Sequence, residues 1–530
     1  MCITGSRISG KIGVPTLFAF MALGMAFGSD GIVKIPFDNY AVAEQICSVA
    51  LVFIMFYGGF GTRWSEAKPV AAKSILLSSV GVILTAVLTG AFCHLVLKMD
   101  LLEGLLLGAV LGSTDAASVF SILRSRKLNL KYGSASMLEL ESGSNDPFAY
   151  MMTLIILSAM SGTADAGSIA VMLVKQLVLG LAVGTVVAVS AAWFLDRFSF
   201  NGEGFDTIFV FGVALLSYAL ATVLGGNGYL STYLTGIIMG NRELKNQKTL
   251  VSFFDAFTGL MQMLLFFLLG LLAFPSQMPA IILPAAAIAL FLTFVARPVA
   301  VGLLLTPFKP LLGQYLVISW AGLRGAASIV FAIMATVSDS YTKNDVFHIV
   351  FCVVLFSIIF QGSLLPAVAK RCNMIDENSD VMKTFTDYSE NSRIQFVQLP
   401  IGNGHPWVGK KICEITTLPG TLISVIKRGS RVVVPKGQTE IFQGDIVVLG
   451  AQGFADNRDI LLKEITITAD HRWCNKKISE AKFYKNTIIV MITRGDEIII
   501  PDGSTVIREN DLAVVYSQKL VEAPELLPQT

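Results

Sequence analysis

Apolar runs long enough to cross a bilayer follow one another as far as about Lys370, and then stop. A hydrocarbon layer about 30 Å thick takes about 20 apolar residues per helix. Runs at 14–28, 43–61, 69–98, 103–124, 133–161, 168–195, 206–222, 227–241, 252–275, 281–305, 312–338 and 344–370 predict about twelve spans. Val14 to Gly28 follows Arg7 and Lys11 and so imitates a secretory leader. No small-residue cleavage site follows it and further spans do, so it is read as a short transmembrane helix.

Beyond a polar linker, Asn373 to Arg393, the pattern changes to short strand-like runs punctuated by glycine. Leu422 to Ile426 and Arg431 to Val434 flank the Arg428-Gly429-Ser430 turn, and Ile446 to Leu449 follows Gly444-Asp445. The pattern occurs twice. His405-Pro-Trp-Val-Gly-Lys-Lys-Ile-Cys-Glu414 realigns without a gap on His471-Arg-Trp-Cys-Asn-Lys-Lys-Ile-Ser-Glu480. The same register carries Arg428 onto Arg494, Pro435, Gly437 and Thr439 onto Pro501, Gly503 and Thr505, and Asp445 onto Asp511. Ile488 to Ile492, Glu497 to Ile500 and Leu512 to Tyr516 are the strands of the second copy. The expected organisation is a transmembrane domain 1–372, a linker 373–393, and two soluble α/β units, 394–456 and 460–522.

Composition agrees with a membrane domain. Of the residues 54% are hydrophobic and 15% charged, where a soluble enzyme would carry about a quarter charged. A net charge of +2 leaves no basic surface for nucleic acid. The seven cysteines show no metal-ligand spacing and are read as reduced and structural. Lysine and arginine alternate between loops. One set holds Arg7 and Lys11; Arg63, Lys68 and Lys73; Arg124, Arg126, Lys127 and Lys131; Arg197; Arg242, Lys245 and Lys248; Lys309; and Lys370 with Arg371. The other holds little beyond Lys34, Lys98 and Lys343. The bias places both termini in the cytoplasm.

Ionisable residues at membrane depth are functional candidates by default. Gly104, Gly108 and Gly112 recur every fourth position, which permits close helix packing, and lead into the polar break Gly112-Ser113-Thr114-Asp115. Helices broken at the midplane expose carbonyls and helix ends that hold ions. The plain alternative is that Asp115 only caps the second half-helix. The next segment reads Glu141-Ser142-Gly143-Ser144-Asn145-Asp146-Pro147. Ser142 and Asp146 share a helix face, and Glu141 and Asn145 the adjacent one. Pro147 lacks an N–H, so the Gly143 carbonyl loses its helical partner. This hard-oxygen set suits an alkali cation. Burial penalises the charged carboxylate, so proton and cation compete for it. A structural polar cluster is the plain alternative, and Ser144 is read as structural. The third segment, Ser319 to Ser328, carries Arg324 between Gly322 and Gly325. A buried arginine needs a carboxylate, and Glu141 is the candidate. Matching acidic and basic interruptions suggest inverted repeats. Arg297, beside Pro298, and Lys175 are read as snorkelling. His94, His348, His405 and His471 form no ligand cluster.

The strings Gly112-Ser-Thr-Asp-Ala-Ala-Ser-Val-Phe120, Glu141-Ser-Gly-Ser-Asn-Asp-Pro147 and Trp320-Ala-Gly-Leu-Arg-Gly-Ala-Ala-Ser328 resemble those of the monovalent cation/proton antiporter family. The chain is most similar to the potassium/proton branch with TrkA-C-type tails. The likeness covers roughly residues 8–370, and the repeats extend it to about 520. It implies a polytopic α-helical sodium/proton antiporter fold, a homodimer in the cell membrane, and a mobile core domain working by alternating access. It implies Asp146 as the shared carboxylate for proton and potassium or sodium. Asn145, Ser142, Thr114 and Asp115 would line or shape the site, with the cation at Asp146, Ser142 and Thr114. Glu141 and Arg324 would be the supporting ion pair. The family often has an acid in its Phe-x-Gly-Gly string, where this chain has Phe56-Tyr57-Gly58-Gly59. It also usually has one more helix ahead of the segment that begins here near Ile8.

An enzyme is not indicated: there is no nucleotide loop, metal spacing or nucleophile triad, and no cofactor is expected. A TrkA-C-gated potassium channel or uniporter is the alternative, but no TVGYG-like filter is present. The tail is read as regulatory. TrkA-C-type domains resemble binders of small anions such as cyclic dinucleotides. Lys427, Arg428, Arg431 and Arg494 would supply the charge, unless they are simply solvated.

Overall fold

The computed structural model describes residues 16–126, 128–162, 165–198, 204–242, 244, 247–338, 340, 342–376, 394–415, 421–429, 431–452, 461–469, 471–481, 487–494, 497–499 and 501–517. Arg7, Lys11, Lys127, Lys245, most of the expected linker and the side chains of Arg124 and Arg431 lie outside the described residues. The chain divides into two compact units, Met1–Glu390 and Asn391–Thr530.

The first unit is helical. Each predicted apolar run holds one continuous helix or one broken pair. In order these are α1 Thr16–Phe27, α2 Tyr40–Gly61, α3 Ala71–Leu95, the pair α4 Leu101–Val110 and α5 Ala116–Ser125, α6 Ser134–Met160, α7 Ala166–Arg197, α8 Phe205–Val223, α9 Gly228–Gly240 and α10 Gln247–Leu272. Then come α11 Met278–Phe291, which runs through a π turn, Leu292–Ala296, into α12 Arg297–Leu305, and the broken pair α13 Leu312–Trp320 and α14 Ala326–Val337. α15 Val346–Phe356 continues through a second π turn, Ser357–Gly362, into α16 Ser363–Arg371. Among the described residues seven helices are long and apolar enough to span a bilayer alone. The broken pairs cross as two shorter pieces.

Lipid tails are as apolar as leucine, so these helices hold together by close packing. A Cβ added to Gly108 of α4 would stand 2.3 Å from the Ala86 carbonyl oxygen of α3. One on Gly236 of α9 would stand 2.2 Å from that of Phe56 on α2. At both places only glycine lets the backbones meet.

The second unit holds two four-stranded antiparallel sheets. β1 Ile394–Pro400, β2 Thr421–Arg428, β3 Arg431–Val433 and β4 Asp445–Gln452 lie in the order β1-β4-β2-β3. β5 Leu461–Thr466, β6 Thr487–Arg494, β7 Glu497–Ile499 and β8 Leu512–Ser517 repeat it as β5-β8-β6-β7. The strand pattern read from sequence missed β1 and β5, which join each sheet by pairing with its last strand.

The repeat preserves one ion pair. Arg428 reaches Asp445 with Nε (2.9 Å) and Nη2 (2.8 Å), and Arg494 reaches Asp511 likewise (2.8 and 2.8 Å). Each arginine also donates to a carbonyl across the loop, of Glu440 or Val506. Both aspartates are buried. These forked bonds give Arg428 and Arg494 a structural role, closing the turn of each repeat. Lys427 is exposed on β2.

The bonds from Arg428 hold the Asp445 carboxyl below the usual carboxylate range, and those from Arg494 do the same for Asp511. A depressed carboxylate contributes stability above its unfolded pKa of about 3.9, lost as pH falls through the lower folded value. Asp445→Asn should therefore lower the stability of the 391–530 unit at pH 7 by about 1–2 kcal/mol, the partly exposed arginine moderating the effect. It should also leave the unit less sensitive to acid. Urea unfolding at pH 7 and at about pH 2.5 measures both; a variant with wild-type stability and acid response contradicts the pin.

Candidate cation site

The site is built where the two broken pairs cross. α4 ends at Val110 and α5 begins at Ala116, so the chain turns at 111–112 and runs without regular structure through 113–115; 321–325 separates α13 from α14 in the same way. The breaks touch: the Asp115 amide donates to the Leu323 carbonyl at 2.8 Å. A Cβ on Gly325 would fall 2.4 Å from that of Asp115, so this crossing requires glycine.

Each break leaves helix-end groups that need partners. Arg324 Nη1 donates to the carbonyls of Gly112 (3.2 Å) and Ser113 (2.9 Å), a cation at the negative end of α4. Asp115 caps α5, accepting from the Ser118 amide (3.1 Å) and hydroxyl (2.5 Å). The capping reading of Asp115 thus holds, and the same side chain also lines the cavity beside Asp146.

α6 supplies the remainder. Ser142 Oγ accepts from the Ala116 amide (2.9 Å) and donates to the Thr114 carbonyl (2.7 Å). Asn145 Nδ2 donates to Thr114 Oγ1 at 2.5 Å, while its Oδ1 accepts from the Thr114 amide at 3.3 Å. The Ser113 hydroxyl donates to Asp146 Oδ1. Ser142, Asn145 and Asp146 are therefore brought to the same break, as their helical spacing requires. Pro147 sits inside α6, and its carbonyl accepts from Asn227 at 2.9 Å. Ser113, Thr114, Asp115, Ser142 and Asp146 line one cavity of about 520 Å³.

The expected Glu141–Arg324 pair is corrected. Glu141 takes a forked bond from Arg297, Nη1 to Oε1 at 2.5 Å and Nη2 to Oε2 at 2.9 Å. Arg297, read from sequence as snorkelling, is 4% exposed. It opens α12 directly after the π turn at Leu292–Ala296, and the residue added by a π turn rotates the following helix face. Arg297 points into the protein and takes Glu141, and Arg324 takes the carbonyls. Ser113 was also missed as the donor to Asp146; its place in the Gly112-Ser-Thr-Asp string was the signal. Tyr57 and Asp255 join the cavity from α2 and α10, the Tyr57 hydroxyl donating to Asp255 Oδ1 at 3.1 Å. Nothing in the local pattern around Asp255 marked it.

Residues 1–371 match the family model described as sodium/hydrogen exchanger, transmembrane. The chain belongs to the sodium/hydrogen exchanger family. TrkA-C domain models match 396–452 and 462–519. The chain is 33% identical over 454 residues to the K(+)/H(+) antiporter NhaP2 of Shewanella sp. (strain ANA-3), covering 84% of this chain and 79% of the relative. It is 36% identical over 418 residues to the K(+)/H(+) antiporter NhaP of Alkalimonas amylolytica, covering 78% and 73%. In fold it is similar to the sodium proton antiporter MjNhaP1 of Methanocaldococcus jannaschii at pH 8, with TM-score 0.62 and 23% identity over 70% of this chain and 96% of that one. Membership in this exchanger family makes the chain a multi-pass membrane transporter and does not favour the channel reading.

The Glu141–Arg297 pair is testable by a double-mutant cycle. Glu141→Gln or Arg297→Gln alone leaves one buried charge unpaired, expected to lower stability by about 3–5 kcal/mol. The double variant should recover part of that loss, read as thermal stability of detergent-solubilised protein. Additive losses would show that the two side chains do not depend on each other.

Proposed function

We propose that this protein exchanges potassium for protons by alternating access, with sodium as the competing substrate, and that Asp146 carries proton and cation in turn. One observation carries the reading. Asp146 is buried beside the crossing, and among the described residues no basic side chain pairs with it. Arg297 is committed to Glu141 and Arg324 to carbonyl oxygens. A buried carboxylate without a counter-ion is costly, so a proton or a monovalent cation must neutralise it. Thr114 and Ser142 offer further oxygens, and Asn145 holds Thr114 in place. The names of the K(+)/H(+) relatives support potassium.

Access is one-sided. Gly58, Ser121 and Asp255 are exposed at the cavity, on helices whose nearer ends lead to the basic loops at Arg63, Arg126 and Arg242. By the positive-inside bias that side is cytoplasmic, and both termini lie there. On the other side, one turn beyond Asp146, Tyr150 packs with Tyr229 and Phe331 at ring-centroid distances of 5.0 and 5.8 Å. Exposed lining residues on one side of Asp146 and packed rings on the other support alternating access over a continuous pore. The functional unit is taken to be a homodimer in the cell membrane. The TrkA-C repeats would regulate it by taking a small anion such as a cyclic dinucleotide, with Lys427 available to contact it.

Asp146→Asn keeps the shape of the side chain and removes its charge. In everted vesicles, proton movement driven by potassium, sodium, rubidium or lithium should vanish across pH while the variant still inserts. Normal exchange would remove Asp146 from the mechanism.

Truncation after Arg393 should leave exchange intact but alter its response to pH or added cyclic dinucleotide. A truncated protein that inserts and is inactive at every pH would make the tail part of the transport machinery.

A further inference from the structure

We propose a second monovalent-cation station, formed by Asp255, Thr258 and Gln262 of α10 with the Tyr57 hydroxyl of α2, that takes a partly hydrated cation before it reaches Asp146; it rests on the antiporter reading above. The three α10 residues stand at i, i+3 and i+7, so they share one face, and all line the cavity. Asp255 lies eight residues into α10, about 12 Å from its start at 1.5 Å per residue. Thr258 and Gln262 follow at successively greater depth.

Two observations point to a ligand. The first is Thr258. Its Oγ1 is buried, the residue 6% exposed, and it has no hydrogen-bond partner. A threonine inside a helix ordinarily returns its hydroxyl to the carbonyl four residues back. Thr85, Thr153 and Thr232 do so here at 2.7, 2.8 and 2.9 Å. Thr258 does not, and its hydroxyl is left without a partner at the wall of the cavity. The second is the sign of the wall. Asp115, Asp146 and Asp255 line the cavity, and no lysine, arginine or histidine is among the described residues that line it. A cleft lined by one sign of charge concentrates the opposite ion.

The Tyr57 hydroxyl orients the Asp255 carboxylate without neutralising it. Gly58 and Gly259, which also line the cavity, would each meet open space with an added Cβ, so room remains for an ion with water. Asp255 supplies charge at the mouth, and Thr258 and Gln262 supply oxygens that replace water stepwise on the way to Asp146.

The test uses full-length protein in proteoliposomes, with proton flux driven by potassium at fixed pH. Asp255→Asn should raise the apparent KM for potassium about tenfold while Vmax stays within about twofold. In wild type, added choline chloride should raise that KM by screening the wall; in the variant the salt dependence should flatten. Thr258→Val keeps the shape, removes the oxygen and should raise KM by a smaller factor, and Asp255→Glu should keep a low KM. An unchanged KM with unchanged salt dependence in Asp255→Asn overturns the station. So does a fall in Vmax with KM intact, which a merely structural Tyr57–Asp255 contact between helices would give. If Asp255→Asn does not reach the membrane, Thr258→Val decides alone. Failure of the antiporter reading looks different: wild-type protein would show no exchange, or Asp146→Asn would exchange normally.

Discussion

A helix broken inside hydrocarbon strands its last carbonyls and first amides where no water can reach them, and the protein must supply every partner. Among the described residues there are two such breaks, and much of the polar interior around them follows from this. The Asp115 amide binds the Leu323 carbonyl across the crossing, Arg324 covers the carbonyl end of α4, Asp115 caps α5, and Ser142 bridges Thr114 and Ala116. The glycine at Gly325 is a consequence of how closely the breaks approach.

That division of labour leaves Asp146 without a basic partner among the described residues. Two arginines lie at membrane depth near three carboxylates. Arg297 takes Glu141 and Arg324 takes backbone oxygens, so the positive charge is used in holding the scaffold. Asp146 keeps one neutral donor, Ser113. On the proposed reading, its charge is met by whichever of proton and cation arrives through the cavity.

The tail obeys a different solvent. In water a sheet needs only its apolar face buried, and each repeat adds a single buried aspartate clamped by an arginine seventeen positions earlier. The recurrence of that pair in both copies marks it as part of the unit's architecture.

Features that depend on neighbours along the chain could be read directly. Apolar length determined the spans, and the runs Gly112 to Asp115 and Ala321 to Gly325 announced the breaks, because a polar, glycine-rich stretch cannot remain helical in lipid without a reason. Spacing put Ser142, Asn145 and Asp146 on neighbouring faces of one helix, and the gapless repeat predicted two like sheets, though β1 and β5 had too little pattern of their own to be seen. The tertiary structure alone decided partners. Glu141 and Arg297 are 156 positions apart. Asp255 stands 198 positions from Tyr57, and only the packing of α10 against α2 turns it to the cavity. Periodicity determines which face of a helix a residue occupies; which helix meets that face is decided by packing among elements far apart in the chain, and no local pattern records it.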